Sequence, residues 1–436
     1  MSTDYTKRIV NYALKESGFY PLRPVQLWFV DTHFNKANST MMNIGALVKL
    51  HPDIDVERLE KVVNDLINHY DIFRCRFVFH EGTSDLCQRF DGEIIPVKIE
   101  KISDEEFEKE QSKLKKPYKI IGNPLYRIRI FQTPSANYFY FDFYHAIMDG
   151  MAIAVLFFRE LNQRYKGKKI TREPLNYADF ILDEMRVSPE ELAEGNTYWR
   201  NMLSDFDINR HLPPSDISKN EAWTDDIYFE NLKNVESEYF DNAARKEDVF
   251  FLAAVMLALA KSSGEKKSIL SRIYNGRMNA QERRLMGIMI EQYPIAWDFE
   301  KNITVENFLD NLEAKIKEGM KYRRSLGTVY SEGLEDDCAT FIFQKGNLSQ
   351  HDGVVYIDDK PLQIIATPPN NFNAAENTLD IEISSGTGHD EFYLLTLDYD
   401  ASRYSRDAME KFAELIDEMV LALQDEKKYI HEILKA

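Results

Sequence analysis

Apolar side chains recur along the chain at the two periods that define helices and strands. After Asp55, which can cap a first turn, one helical face collects Val56, Leu59, Val63, Leu66, Ile67 and Tyr70. On either side of this helix, residues 42–50 and 72–79 have the pattern of strands. Because the two periods alternate from end to end, the sequence predicts a mixed α and β fold.

A hairpin is predicted in the next part of the chain, from strands at residues 125–133 and 138–144 joined by a short turn. Aromatic residues occupy both faces of the second strand, which indicates a central strand buried on both sides. Gly150 then opens a helix that ends before the polar run at residues 166–169. The same apolar period predicts three later helices, at residues 246–262, 305–324 and 405–423.

Composition narrows the class of protein. With 436 residues, the chain can bury a sizeable core, either as about two or three average domains or as one two-lobed enzyme. Its 54 Lys and Arg against 72 Asp and Glu leave a formal net charge of −18. A surface this acidic argues against binding to nucleic acid and to anionic membranes. Three scattered cysteines, and no His pair at i, i+4, lead us to expect neither disulfides nor a metal site.

The longest apolar run, residues 249–260, has 12 residues. Because a membrane span needs about 20, this run predicts a buried helix. Residues 1–18 carry charges where a secretory signal would be apolar. We therefore expect a cytoplasmic protein without a membrane span.

The polar stretch at residues 167–174 is the best linker by composition. It predicts an N-terminal lobe at residues 1–172 and a C-terminal lobe at residues 173–436.

The segment from Phe143 to Gly150 carries the clearest chemical signal. A strand delivers His145 at its C-terminal end, and a tight turn leads to Gly150. A neutral imidazole there can accept a proton near pH 7, because its unperturbed pKa is about 6.5. Asp149 can orient the turn through an ion pair, for which Arg74 is the candidate partner. Taken alone, the pattern also fits a structural histidine at a strand end.

Five short signatures follow one another along the chain, at residues 20–28, 68–77, 143–152, 177–180 and 287–294. The first contains Gln26 and the pair Leu27-Trp28, and the third contains His145 and Asp149. In this order they resemble the condensation domains of non-ribosomal peptide synthetases, within the wider superfamily of His-x-x-x-Asp acyltransferases related to chloramphenicol acetyltransferase. Residues 379–399 are similar to the closing strands of that family, so the resemblance covers nearly the whole chain.

The resemblance implies an α/β (mixed α+β) fold with two chloramphenicol acetyltransferase-like lobes in a V shape around a central tunnel. It assigns His145 as the catalytic residue, with Asp149, Gly150 and Arg74 in support of the motif. It implies a thioester donor, either linked to phosphopantetheine on an acyl-carrier or peptidyl-carrier protein or present as acyl-CoA. The implied acceptor is a small amine or alcohol, and no bound cofactor is expected.

The chain departs from the family pattern near the predicted tunnel. Tyr144 stands where the family has the first His of a pair, and Glu291 and Gln292 stand where it has an Asn. Together with Asn275, these residues are candidates for the tunnel lining. Strand alternation places Tyr144 on the face opposite His145, where it packs inside the lobe. The alternative is that the Tyr144 ring narrows the tunnel.

Three classes of function remain open. The first is a free-standing acyltransferase that forms an amide or ester, with His145 as general base. The second is a catalytically inactive condensation-like module that recruits a carrier protein or partner enzyme, and the third is a purely structural interaction protein. Retention of His145, Asp149 and Gly150 favours catalysis. Basic clusters at residues 113–119 and 321–324 are candidate contacts for a phosphate.

Overall fold

A computed structural model describes most of the chain: residues 18–36, 39–168, 175–204, 211–219, 224–243, 245–327, 338–345, 355–365, 377–385 and 393–435. Strands are numbered in chain order: β1 (Tyr20–Pro21), β2 (Asn43–Lys49), β3 (Arg76–Phe79), β4 (Leu86–Arg89), β5 (Ile99–Lys101), β6 (Tyr126–Gln132), β7 (Asn137–Tyr144), β8 (Asp225–Leu232), β9 (Lys267–Tyr274), β10 (Glu291–Asp298), β11 (Ala339–Lys345), β12 (Tyr356–Ile357), β13 (Lys360–Pro361), β14 (Gln363–Ile365), β15 (Leu379–Ser385) and β16 (Tyr393–Asp400).

Helices are numbered in the same way: α1 (Pro24–Asn35), α2 (Val56–His69), α3 (Asp104–Gln111), α4 (Phe158–Tyr165), α5 (Tyr177–Glu184), α6 (Pro189–Leu203), α7 (Ser237–Ala243), α8 (Glu247–Ser263), α9 (Val305–Lys321), α10 (Arg406–Ala422) and α11 (Ile430–Lys435). The three later helices predicted from the apolar period are confirmed as α8, α9 and α10, with ends displaced by at most three residues. The predicted mixed fold is therefore confirmed.

The N-terminal lobe is built around a five-stranded sheet with the order β14-β2-β7-β6-β5. The predicted hairpin is the antiparallel pair β6–β7, and β7 lies in the middle of the sheet. Side chains on both faces of β7 are buried, among them Phe139 and Tyr140 on opposite sides. This confirms the central strand that the aromatic pattern predicted. His145 therefore follows directly after a strand that is buried in the middle of the sheet.

Helix α2 begins where the sequence predicts it, and the Asp55 carboxylate accepts a hydrogen bond from the Arg58 N–H at 3.0 Å. The strand predicted from residue 72 starts later, because residues 71–74 form a 3₁₀ turn before β3. Asp71 explains the difference. Its carboxylate accepts hydrogen bonds from the Tyr177 and Ala178 N–H groups at 2.9 and 3.0 Å, so it caps α5 from a distant part of the chain.

The C-terminal lobe is built around a six-stranded sheet with the order β10-β9-β11-β15-β16-β8. Strand β11 runs parallel to both of its neighbours, while the other pairs are antiparallel. The apolar run at residues 249–260 forms the buried part of α8, which packs between the sheet and α10. Among the described residues, no helix is both long enough and apolar enough to cross a bilayer.

Segments from the second half of the chain complete the N-terminal lobe. Strand β14 pairs with β2 at the edge of the five-stranded sheet. Ile288, Ile357 and Leu362 are buried in the core of the same lobe. The predicted boundary at residue 172 and most of the predicted linker lie outside the described residues. The two lobes thus share chain from both halves of the sequence, which positions residues around 288 beside the His145 turn.

Candidate active site

The turn after β7 is held by backbone hydrogen bonds. The His145 N–H donates to the Met42 carbonyl at 2.8 Å, and the Ile147 N–H donates to the Tyr144 carbonyl at 2.9 Å. The helix predicted to open at Gly150 begins with one π-helical segment, residues 152–157, and continues as α4. From α1, the Gln26 amide donates to the Ala146 carbonyl at 2.9 Å and secures the turn from a second side.

The His145 ring stacks on the Phe29 ring, with centroids 4.6 Å apart and an interplanar angle of 16°. Its Nδ1 is shut off from solvent and has no hydrogen-bond partner among the described residues. The ring also lines a cavity. Burial lowers the pKa of His145 below its usual value, and the charge of Asp149 opposes that shift. The imidazole is therefore neutral near pH 7.

Asp149 is fully buried, and both of its carboxylate oxygens accept hydrogen bonds. Oδ1 accepts from the Ala152 N–H at 2.7 Å. Oδ2 accepts from the Arg277 guanidinium at 2.8 Å and from the Met289 and Ile290 N–H groups at 2.7 and 3.2 Å. This carboxylate ties the His145 turn to a segment more than a hundred residues further along the chain, and its oxygens are already engaged.

The predicted ion pair between Arg74 and Asp149 is wrong. The Arg74 side chain donates instead to the Gly92 carbonyl at 3.4 Å and to the Asn68 side chain at 3.5 Å. Arg277 pairs with Asp149 instead of Arg74. The preceding residue, Gly276, has φ +65° and packs so closely that a Cβ there would lie 1.7 Å from the Met289 carbonyl oxygen. A glycine directly before an arginine is visible in the sequence, but it does not specify which acid the arginine pairs with.

Sequence reasoning also missed the role of Arg23, which lies inside the first signature. Its guanidinium is buried and donates to the Ile288 carbonyl at 3.0 Å, to Glu184 at 2.6 Å and to Glu291 at 2.9 Å. Tyr177, in the fourth signature, donates its hydroxyl to the same Ile288 carbonyl at 2.6 Å. The first and fourth signatures thus both bind the backbone of the fifth, which carries two N–H donors to Asp149.

The candidate lining residues separate into two groups. Asn275 and Gln292 lie on the cavity wall, as does Gly150. Glu291 points away into the Arg23 network, where burial raises its pKa to about 7 against the opposing charge of Arg23. Tyr274, itself on the wall, donates its hydroxyl to Glu291. The fourth candidate, Tyr144, is fully buried and donates its hydroxyl to the Phe29 carbonyl at 3.0 Å.

The cavity has a volume of about 360 Å³ and is lined by both lobes. Its N-terminal wall is mostly apolar and includes Trp28, Phe29 and Met151 beside His145. Its C-terminal wall comes from the six-stranded sheet and carries polar side chains, as on Gln292. This volume suits a small ligand. Within the part of the chain that the structure describes, no group of three or more His, Cys, Asp or Glu side chains is placed to hold a metal ion.

A histidine and a buried aspartate lie on one turn, beside a cavity between two mixed lobes, as the resemblance to the chloramphenicol acetyltransferase-like class of proteins implied. The chain belongs to the condensation-domain family, because the family model described as Condensation domain matches residues 16–429. This confirms the resemblance derived from the five signatures.

Curated relatives are large synthases. The chain is 20% identical over 428 residues to surfactin synthase subunit 2 of Bacillus subtilis (strain 168), which covers 94% of this chain and 12% of that protein. It is 23% identical over 285 residues to bacitracin synthase 3 of Bacillus licheniformis, covering 63% of this chain and 4% of that protein. The chain therefore spans only a small part of the length of these relatives.

Solved structures share the fold at low identity. The condensation domain from monacolin K polyketide synthase MokA matches with a TM-score of 0.75 at 19% identity, covering 94% of this chain and 99% of that one. The X-domain from teicoplanin biosynthesis matches with a TM-score of 0.74 at 15% identity, covering 94% and 96%. The starter condensation domain of a rhizomide synthetase RzmA mutant, in complex with C8-CoA, has a TM-score of 0.71 at 14% identity, covering 96% and 98%. The expected fold class is confirmed.

Proposed function

We propose that the protein is an acyltransferase that moves an acyl group from a thioester to an amine or hydroxyl acceptor, with His145 as the general base. The observation that carries this proposal is the His145 ring itself. It lines the cavity, its Nδ1 is enclosed, and its pKa is lowered, so a neutral Nε2 faces the space where an acceptor would bind. Membership of the condensation-domain family supports the same reaction class.

In the proposed reaction, the amine nitrogen or hydroxyl oxygen of the acceptor attacks the thioester carbonyl, and Nε2 of His145 takes the proton that the acceptor loses. The tetrahedral intermediate then collapses, the carbon–sulfur bond breaks, and the leaving thiolate takes the proton back from the imidazolium. Asp149 is a positioning residue in this scheme. Its oxygens accept hydrogen bonds from Arg277 and three backbone N–H groups, which keep the His145 turn in place.

The donor is proposed to be an acyl group on CoA or on the phosphopantetheine of a carrier protein. The likeness to surfactin synthase subunit 2 supports a carrier protein, and the structure of RzmA with C8-CoA supports CoA. Of the two basic clusters, the one at residues 321–324 is partly engaged inside the protein, because Arg323 donates to Glu282 at 2.9 Å and to the Gly276 carbonyl at 3.2 Å. The cluster at residues 113–119 is the better docking candidate.

The test compares wild type with His145→Ala and with the matched control His51→Ala, which removes an exposed histidine. Each protein is incubated with acyl-CoA and acyl-carrier pools and with mixed amine and alcohol acceptors, and the products are identified by mass spectrometry. We expect His145→Ala to lose about 10²–10⁴-fold in rate at an unchanged melting temperature. The control should keep wild-type activity. Wild-type turnover by His145→Ala would refute the assignment.

A second candidate function is a module that recruits a partner enzyme without catalysis. It is favoured by the likeness to an X-domain that was solved in complex with OxyB, with a TM-score of 0.75 at 14% identity. This function predicts that the wild type transfers no acyl group from any donor in the pools, whereas the acyltransferase proposal predicts a product that depends on His145. The same incubation therefore distinguishes the two functions.

A further inference from the structure

The C-terminal wall of the cavity carries three carboxylates on two neighbouring strands. Asp380 and Glu382 lie on β15, and Asp398 lies on β16 directly opposite Asp380. Residues 379 and 383 of β15 point to the core and are fully buried, so strand alternation turns the acids toward the cavity. We call these three residues the acidic wall.

Positive charge is scarce among the described residues that line the cavity. None of them is a lysine or an arginine, and His145 is neutral near pH 7. Lys36, at the end of α1, is near enough to lower the pKa of Asp380 to some extent. Burial nevertheless raises the pKa of Asp380 to about 6 and that of Glu382 to about 7, and the charge of Asp380 adds to the second shift.

Hydrogen bonding within the protein leaves part of this wall unsatisfied. Asp380 accepts hydrogen bonds from the Asn377 side chain at 2.7 Å and from the Thr340 side chain, and Glu382 accepts one from the Gln344 side chain. Glu382 Oε1 and Thr396 Oγ1 have no access to solvent and no partner among the described residues, although they belong to directly paired residues of β15 and β16. A buried acceptor without a donor is costly, and carboxylates opposite one another on paired strands repel. A bound cation would relieve both penalties.

We propose that the acidic wall binds a second cationic group of the acceptor, so that the acceptor is a small diamine whose other nitrogen reacts at His145. This rests on the proposed function for the reacting nitrogen. The sheet provides the intervening surface, because Gln292, Ile273, Ile342 and Glu382 occupy one row across β10, β9, β11 and β15. The two isoleucines form an apolar floor for a methylene chain. Ile273 and Glu382 are two strand spacings apart, about 10 Å.

The experiment measures binding without any donor, by titration calorimetry at pH 8, above the raised pKa values of Asp380 and Glu382. The probes are 1,4-diaminobutane, 1,6-diaminohexane and 1,8-diaminooctane, each compared with the diol of the same length, which carries no cation. We expect at least one diamine to bind about tenfold more tightly than its diol. Equal affinities, or no binding by any probe, would overturn the proposal.

Variants localise the effect. Glu382→Gln and Asp380→Asn should bring the preference for the diamine to within about twofold. Glu418→Gln, which alters an exposed acid on α10 of the same lobe, should retain it. Melting temperatures check folding, and we expect neither wall variant to melt below wild type, since each removes like-charge repulsion. A tenfold preference that survives in both wall variants would place the cation elsewhere and refute the site.

Failure of this inference can be told apart from failure of the proposed function, because the binding assay needs no catalysis. A diamine preference in a protein that transfers no acyl group would retain the site and refute the acyltransferase. Acyl transfer without any diamine preference would retain the acyltransferase and refute the site. His145→Ala should keep the binding preference, because the acidic wall lies on the opposite lobe.

Discussion

At the scale of single residues, the His145 environment combines a stacked aromatic neighbour with an enclosed Nδ1. Both features exclude water and favour the neutral ring, as the lowered pKa of His145 reflects. When kcat/KM is plotted against pH, activity should therefore rise on the acidic side with a pKa below 6.5. From pH 7 to 8, where His145 is already neutral, its ionisation should cause no further change.

A hydroxyl acceptor is the right probe for this profile, because an amine acceptor would add its own titration. The residual activity of His145→Ala should lack this rise. A rise with a pKa above 6.5 would contradict the assignment. The free energy of unfolding should depend on pH in the same direction. Below about pH 6.5 this histidine takes up a proton in the unfolded chain but not in the native protein, so the protein should become less stable as pH falls below that value.

At the scale of secondary-structure elements, the end of strand β7 directs the adjacent side chains of Tyr144 and His145 to opposite sides. His145 follows its last residue and faces the cavity, whereas Tyr144 packs in the lobe interior near Phe77 and Tyr118. The Tyr144 hydroxyl binds the carbonyl of Phe29, whose ring stacks on His145. Tyr144 therefore influences the active site through the position of α1 and not through contact with the acyl chain.

We expect Tyr144→His to leave the donor chain-length profile unchanged and to lower the stability of the protein, because the smaller ring leaves a gap. Tyr144→Phe should cost about 1 kcal/mol, since it removes one buried hydrogen bond. Product analysis with donors of increasing length and denaturant unfolding provide the two measurements. A shift toward longer acyl chains in Tyr144→His would instead support a ring that narrows the tunnel.

At the scale of the whole molecule, Asp149 and Arg277 connect the two halves of the chain. The pair is fully buried, and three backbone N–H groups complete the carboxylate's contacts. Removing one partner leaves the other charge uncompensated in a dry site, which costs about 3–5 kcal/mol. We expect Asp149→Asn and Arg277→Met to lose stability and activity together, as measured by denaturant unfolding and by product formation.

Arg74→Met is the matched control for this prediction. Its side chain is only partly buried and makes long hydrogen bonds, so its removal should change the free energy of unfolding by about 0.5 kcal/mol or less. The double variant Asp149→Asn/Arg277→Met should cost less than the sum of the single variants, since contacting residues couple. Loss of activity in Asp149→Asn at unchanged stability would indicate a direct chemical role for the carboxylate.

Much of this architecture could be predicted from local patterns. The helix after Asp55, the β6–β7 hairpin and the buried helix α8 each follow from side-chain periods within one segment, because burial on one face or on two leaves a repeat in the residues themselves. The His145 turn was found in the same way, from a strand end followed by a glycine. The order of the signatures along the chain was sufficient for the family.

The partner of Asp149 could not be predicted in this way. Arg74 and Arg277 are equally able to pair with a carboxylate, and nothing in the residues around either one records its distance from residue 149 in the folded chain. The same limit applies to Arg23 and Glu291 and to the acids of the acidic wall. Their positions depend on how sheets from distant segments meet, which is decided by packing of the two lobes. The sequence by itself determined the elements and the chemistry on the His145 turn; only the tertiary structure decided which charges face one another.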